Sequence, residues 1–135
     1  MKKIANDIQE GCSHDGVDNK EHILDMARQA EMLQENIESN TDLAFAYLKT
    51  VENNADQDFV DVVRILCSDM LDVEKLAKSC YEKFTTTFDE IKHIKNEQDK
   101  LLQGANALDE IRKELLQYEN YSSASLRSLI EKCKQ

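Results

Sequence analysis

The stretch that decides the fold runs from Phe59 to Leu101, with the sequence FVDVVRILCSDMLDVEKLAKSCYEKFTTTFDEIKHIKNEQDKL. In alternating steps of four and three residues from Phe59, eleven of the thirteen positions reached are apolar, and neither Pro nor Gly interrupts the stretch. Such steps average 3.5 residues, the repeat that keeps one side of an α-helix against a partner helix. The pattern therefore predicts a long helix with coiled-coil character, which would reach roughly 65 Å if it were continuous.

The run of threonines from Thr85 to Thr87 is the point where this helix is most easily interrupted. β-Branched side chains lose rotamer freedom in a helix, and the last threonine has capping-box spacing to Glu90. A break there predicts three helices near residues 20–52, 57–84 and 88–119. The apolar phase passes through the threonines undisturbed, however, and this favours the continuous helix.

A second apolar pattern with the same repeat predicts an earlier helix, from about residue 19 to Glu52, with Asp18 as its N-cap. Asn40 is the one polar member of that pattern. It either fixes the register or the oligomeric state of helix pairing, or it lies hydrated at the edge of the apolar face. Residues 53–56 predict a short turn with Asp56 as the next N-cap, and so short a loop makes the flanking helices antiparallel neighbours.

Around this turn the apolar faces become too wide for two helices to bury, so a third element is predicted to cover this end. The added apolar residues are Leu43, Phe45 and Leu48 before the turn and Val60, Val62 and Ile65 after it. Further along the chain, Gly104 and Asn106 predict a bend or a reversal. Residues 120–123 predict another break, followed by a short last helix.

These patterns predict an all-α fold, an antiparallel helical bundle of three main helices with coiled-coil character. The absence of Pro and the presence of only three Gly leave too few turn residues for an all-β fold. The expected organisation is a short N-terminal helix and loop over residues 1–18, followed by one bundle domain over residues 19–135.

Charge and apolar runs narrow the classes of partner and the compartment. The formal net charge of −10 repels phosphate backbones and anionic headgroups, so no nucleic-acid partner is expected. The longest apolar run, Leu43 to Leu48, is far too short for membrane insertion. The four cysteines have no paired spacing, and no apolar signal-peptide core follows Met1, so we expect reduced thiols and a cytoplasmic or nuclear protein.

Two clusters resemble parts of metal sites without completing one. Glu90 and His93 have the spacing found in di-iron bundles, but such sites need a second pair of this kind and two further glutamates. Cys12 and His14 could supply half of a zinc site, but no second Cys and His pair lies nearby. No glycine-rich phosphate loop is present either. The sequence therefore predicts no enzyme and no catalytic, cofactor-binding or metal-binding residues.

The leading hypothesis is a non-catalytic protein-protein interaction module, a helical scaffold or adaptor subunit that forms homo- or hetero-oligomers by helix packing. Beyond Ile91 polar residues surround a narrow apolar stripe, which suits one partner helix. The predicted partner-binding residues are Ile91, Ile94, Gln98 and Leu101. The competing interpretation is that residues 108–133 fold back and bury this stripe.

The alternative function is a monomeric bundle that binds a small apolar ligand in its wide end. Aromatic residues and methionine occur there at helical spacing, although the same pattern is typical of an ordinary core. The residues expected to line such a site are Phe45, Tyr47, Phe59, Val63 and Met70.

Overall fold

The computed structural model of the chain describes residues 15–95 and 97–134. Over these residues it consists of three long α-helices: α1 (Asp15–Glu52), α2 (Gln57–Ile91) and α3 (Gln98–Lys134). Each helix packs against both of the others, and short connections reverse the chain between them. The predicted all-α bundle of three main antiparallel helices is confirmed.

The turn between α1 and α2 lies over residues 53–56, where the sequence predicts it. The N–H of Ala55 donates to the carbonyl of Val51 at 3.0 Å and closes the last turn of α1. Asp56 occupies the N-cap position of α2, and its carbonyl accepts a hydrogen bond from the N–H of Val60 at 3.0 Å. The Asp56 side chain makes no capping hydrogen bond, so only its backbone defines the start of α2.

α2 is continuous through Thr85 to Thr87, so the alternative break at the threonines is wrong. The Oγ1 of Thr85 donates to the carbonyl of Glu82 at 2.9 Å, which satisfies this hydroxyl within the helix. The predicted extension of the helix to Leu101 is also wrong, because α2 ends at Ile91 and the chain reverses before Gln98.

A polar run explains why α2 stops at Ile91. Lys92, His93 and Lys95 are exposed and would give a longer helix little apolar surface to bury. By reversing, the chain places Leu101 in the core with only 1% of its surface exposed. The apolar phase continues across the reversal because the end of α2 and the start of α3 face the same core.

α3 runs unbroken, so the bend predicted at Gly104 and Asn106 and the break predicted at residues 120–123 are both wrong. The small residues on which these predictions rested instead lie where α3 packs against the other two helices. Gly104 is buried against the side chain of Ile91, and Ser122 is buried completely against α1. Their small side chains let α3 approach its neighbours closely.

α1 begins at Asp15, four residues before the predicted start. Asp18 consequently lies inside the helix and is not its N-cap. The rest of the predicted N-terminal segment, residues 1–14, lies outside the described residues, so the domain boundary at residue 18 stays a prediction.

The core consists of two apolar clusters, one near each end of the bundle. The first cluster lies beside the reversal between α2 and α3, and the second lies beside the turn between α1 and α2. The buried residues of the first are Ile23, Met26, Ala30, Leu33, Ile37, Ala77, Cys80, Phe84, Ile91, Leu101, Ala105, Leu108 and Leu115. The buried residues of the second are Ala44, Leu48, Val60, Val63, Cys67, Met70 and Leu129.

Candidate functional site

A cleft of about 190 Å³ opens at the end of the bundle where α2 reverses into α3. The first turns of α1, the last turn of α2, the connection after it and the start of α3 all contribute to its walls. Its apolar lining consists of Ile23, Leu24, Phe88, Ile91, Ile94 and Leu101, and two lysines, Lys20 and Lys92, complete it. The cleft is therefore mainly apolar, with ammonium groups as its charged part.

Three of the four predicted partner-binding residues line this cleft, but they differ in accessibility. Ile91 and Leu101 belong to the first core cluster, with 6% and 1% of their surfaces exposed. Ile94 is half-buried and packs against that cluster from the connection. Gln98 is exposed at the first position of α3, outside the cleft lining. Ile94 and Gln98 are thus the members of the set that an incoming protein can reach.

The size and rim of the cleft limit what can enter it. An engineered apolar cavity of about 150 Å³ holds a benzene molecule, so this cleft matches one bulky apolar side chain or one small apolar molecule. Leu24, on its α1 side, is 46% exposed and extends the apolar surface outward. Lys92 forms an ion pair with Asp89 at 3.1 Å, so its charge is already partly compensated.

At the opposite end, four of the five residues predicted to line an apolar ligand site lie in the packed core or against it. Val63 and Met70 are completely buried in the second cluster, and Tyr47 and Phe59 pack against it. Phe45 lies outside the cluster, with 36% of its surface exposed. The third element predicted for this end is α3, whose Leu129 joins the second cluster; its presence is confirmed.

α3 covers only part of the wide apolar face, and much of the remainder lies on the outside of α2. Val62 is 44% exposed, Ile65 61% and Leu76 55%. Two exposed aspartates, Asp69 and Asp72, lie between these apolar residues in the sequence. The five residues follow one another at steps of three and four, so they all lie on one side of α2. We call this set, Val62, Ile65, Asp69, Asp72 and Leu76, the α2 stripe. The sequence indicated Val62 and Ile65 as part of the wide apolar face, but neither Leu76 nor which of these residues α3 leaves uncovered.

The register of α2 against α3 places an exposed aromatic beside the stripe. Lys83 and Glu114 form an ion pair across this interface at 3.8 Å. Leu76 is one heptad before Lys83, and Tyr121 is one heptad after Glu114, so in an antiparallel pair they occupy the next facing positions. Tyr121 is 50% exposed and therefore extends the apolar surface of the stripe onto α3.

Within the described ranges, Glu90 and His93 gain no further metal ligand. Glu90 and His93 are both exposed at the end of α2 and just beyond it. Across the described ranges, no group of three or more His, Cys, Asp or Glu side chains is arranged to hold a metal ion. Cys12 and His14 lie outside these ranges.

The described thiols pack as small apolar groups. Burial raises the pKa of Cys67, and burial with the neighbouring Glu114 raises the pKa of Cys80 to about 12. The Sγ of Cys67 donates to the carbonyl of Ala44 at 3.3 Å, which joins α2 to α1. Burial also raises the pKa of Cys133, which is half-buried. All three thiols are free, and none is activated as a nucleophile.

A polar patch lies in the groove between α1 and α2. Burial, followed by the charges of the glutamates at positions 31, 35 and 38, raises the pKa of Tyr81. Beside them Gln34 is 5% exposed; its Nε2 donates to Glu38 at 3.1 Å, and its Oε1 has no hydrogen-bond partner within the described structure. These groups form an acidic surface along the groove.

Compared with known proteins, the chain matches no family model, no curated protein sequence and no solved structure. None of the described helices combines the length and the apolar character that a bilayer crossing requires. The geometry of the bundle and its surfaces is therefore the basis on which a function is proposed.

Proposed function

We propose that the protein is a non-catalytic interaction module, a helical scaffold or adaptor subunit that binds a protein partner through helix packing. The observation that carries this proposal is the apolar cleft at the end of the bundle, where Ile91, Ile94 and Leu101 meet beside the exposed Leu24. The net charge of −10 favours a protein over a nucleic acid as the partner. The free thiols favour a reducing compartment, the cytoplasm or the nucleus.

In this proposal one bulky apolar side chain of the partner enters the cleft. Its base is rigid, because Ile91 and Leu101 are held in the core, and its outer wall is accessible through Leu24 and Ile94. Complete burial of one such side chain contributes about 1.5–3 kcal/mol. The cleft therefore anchors the partner, and Gln98 together with the adjoining helix surface supplies the rest of the interface.

The experiment is a binding comparison between two cleft variants and one surface control. Ile94→Asp and Leu24→Asp place a charge in the apolar wall without altering a fully buried residue. Leu102→Asp is the matched control, since Leu102 is 51% exposed but does not line the cleft. A partner that copurifies with the wild type and with the control, and is lost with both cleft variants, is the expected result. A partner retained by all three variants contradicts the proposal.

Light scattering on a size-exclusion column shows whether the partner is a second copy. A mass of about 31 kDa, twice the 15.5 kDa of one chain, that falls to 15.5 kDa in the cleft variants indicates self-association through the cleft. A constant mass of 15.5 kDa at every loading concentration excludes a second copy of the chain as the partner.

A second candidate function is the binding of a small apolar molecule, which the volume of the same cleft favours. Indole is a suitable probe because it is apolar and of matching size. If this function is correct, indole shifts the NMR signals of the Ile94 and Leu24 methyl groups saturably, and Ile94→Asp abolishes the shift. Shifts that never saturate, or that spread over the whole surface, count against it.

A further inference from the structure

We propose that the α2 stripe, together with Tyr121 of α3, binds a basic amphipathic helix of a partner protein. This surface lies on the half of α2 nearer the turn between α1 and α2, whereas the cleft lies beyond the other end. From Ile65 to Ile91 the distance along α2 is roughly 40 Å. The two surfaces are therefore separate, and the stripe gives a scaffold its second point of attachment.

The apolar part of the stripe is unusual for a surface that only meets water. Ile65 and Leu76 expose 61% and 55% of their surfaces, and they are the most exposed large apolar residues of the described chain. Val62 and Tyr121 extend the same surface at 44% and 50%. These residues form two apolar pairs, Val62 with Ile65 and Leu76 with Tyr121, on either side of the aspartates, and exposed apolar groups rimmed by polar groups are typical of a protein interface.

The charges of the stripe identify the chemistry of the partner. Asp69 and Asp72 are exposed between Ile65 and Leu76, and neither forms an ion pair within the described structure. The cations nearest to them in the helix pattern are Lys75 of α2 and Arg127 of α3, and neither forms an ion pair with Asp69 or Asp72 in the described structure. A partner that covers the apolar residues must therefore bring Lys or Arg to meet the two aspartates.

The spacing of the stripe identifies the shape of the partner. Ile65 and Leu76 are eleven residues apart, about 16 Å along the helix axis, and the aspartates lie between them. A helix lying along α2 matches this length with apolar residues one on each side of a basic pair. A second copy of this chain is disfavoured, because each copy has a charge of −10 and the stripe itself carries two aspartates.

The test is a selection from a display library of helical peptides, about 20 residues long, against the whole protein. The selected peptides are expected to carry two Lys or Arg residues at a spacing of three positions, flanked on each side by large apolar residues. Their affinity should fall at least about tenfold in the double variant Ile65→Ser/Leu76→Ser. It should also fall at least about tenfold in Asp69→Lys/Asp72→Lys, which should in turn favour peptides with Glu in place of the basic pair.

Matched controls separate this site from general charge and from the cleft. Asp42→Lys changes an exposed acid of α1 outside the stripe, and Leu102→Ser removes an exposed leucine of α3 outside it. Both should leave the affinity of the selected peptides unchanged, and so should the cleft variant Ile94→Asp. Loss of binding with Ile94→Asp alone would support the cleft and overturn the stripe as the site.

Two other outcomes would overturn the proposal. One is the selection of acidic or uncharged peptides whose binding is unaffected by charge reversal at Asp69 and Asp72. The other is a concentration-dependent mass of twice the 15.5 kDa chain that Ile65→Ser/Leu76→Ser abolishes, since a second copy would then occupy the stripe.

Discussion

Gly104 packs so closely against Ile91 that a Cβ atom added to it would lie 2.7 Å from the Cδ1 of Ile91 and 2.8 Å from its Cγ1. Real Cβ atoms do not approach other carbons to that distance. At Gly104, α3 therefore contacts α2 through Ile91, a residue that also lines the cleft.

Gly104→Ala should lower the free energy of unfolding, measured by urea denaturation. Alanine favours the helix by about 1 kcal/mol over glycine, but overpacking against Ile91 costs about 1–3 kcal/mol. In an Ile91→Ala background the clashing atoms are absent, so the same substitution should instead raise the free energy of unfolding. Ala107→Gly, at an exposed position of α3, measures the helix propensity alone. An equal effect of Gly104→Ala in both backgrounds would contradict this interpretation.

Asn40 links α1 to α3 through two hydrogen bonds. Its Nδ2 donates to the Oγ of Ser122 at 3.2 Å and to the Oγ of Ser123 at 3.1 Å. Since α1 and α3 are parallel in this bundle, the bonds favour one register between them. Of the two interpretations that the sequence allowed, the half-buried and bonded asparagine agrees with the register role.

Asn40→Ala should lower the free energy of unfolding by about 1–2 kcal/mol, because it leaves the buried Ser122 hydroxyl without this partner. Ser122→Ala in the same chain should restore part of the loss. Asn36→Ala, one turn earlier at an exposed position, is the matched control and should have little effect. If the two asparagine variants unfold at the same urea concentration, the hydrogen bonds do not contribute.

The sequence predicted the helical pairing around the first turn well, because apolar periodicity and the turn residues agree there. The bend predicted at Gly104 and the break predicted at residues 120–123 were wrong for one physical reason. The turn preference of one Gly or Asn is about 1 kcal/mol, whereas an unbroken α3 buries a whole apolar face. The sequence also could not distinguish one long helix through Ile91 from two antiparallel helices that meet after it, since both arrangements keep the same apolar phase.

The candidate surfaces were predictable to different degrees. Ile91, Ile94 and Leu101 are neighbours in the apolar pattern, and the structure brings them to one cleft, while their role in binding a partner stays a prediction. The exposure of Ile65 and Leu76 depends on where α3 lies against α2. That placement is set by contacts between residues far apart in the sequence, which local periodicity does not report.

Asp109 and Arg112 form a part-buried ion pair at 2.8 Å, and the Nη1 of Arg112 also donates to the Oε1 of Gln29 in α1 at 3.5 Å. The hydrogen bond from Arg112 is the main cause that lowers the pKa of Asp109 below its ordinary value of 3.8. The folded state therefore favours the ionised carboxylate. This contribution to stability is present at neutral pH and is lost as the pH falls through the lowered pKa.

Asp109→Asn should reduce the free energy of unfolding at neutral pH, and its difference from the wild type should shrink below about pH 3.8. Asp25→Asn is the control, because Asp25 and Arg28 form the same kind of pair at 2.9 Å but with 62% and 74% of their side chains exposed. Exposed pairs contribute little, so this variant should cost less than Asp109→Asn. Equal losses that do not change with pH would contradict the prediction.

The three described thiols should react at very different rates in the folded protein. Alkylation requires the thiolate, and burial raises the pKa of Cys80 to about 12, so very little thiolate is present at pH 8. Cys67 is completely buried and its pKa is also raised, whereas Cys133 is half-buried and the most accessible of the three. Iodoacetamide with peptide mapping should find Cys133 modified first.

Cys67 and Cys80 should react only when urea unfolds the bundle, and under those conditions the rates of all three thiols should converge. Modification of Cys80 as fast as Cys133 without urea would mean that α2 and α3 separate readily at the Cys80 contact with Ile111.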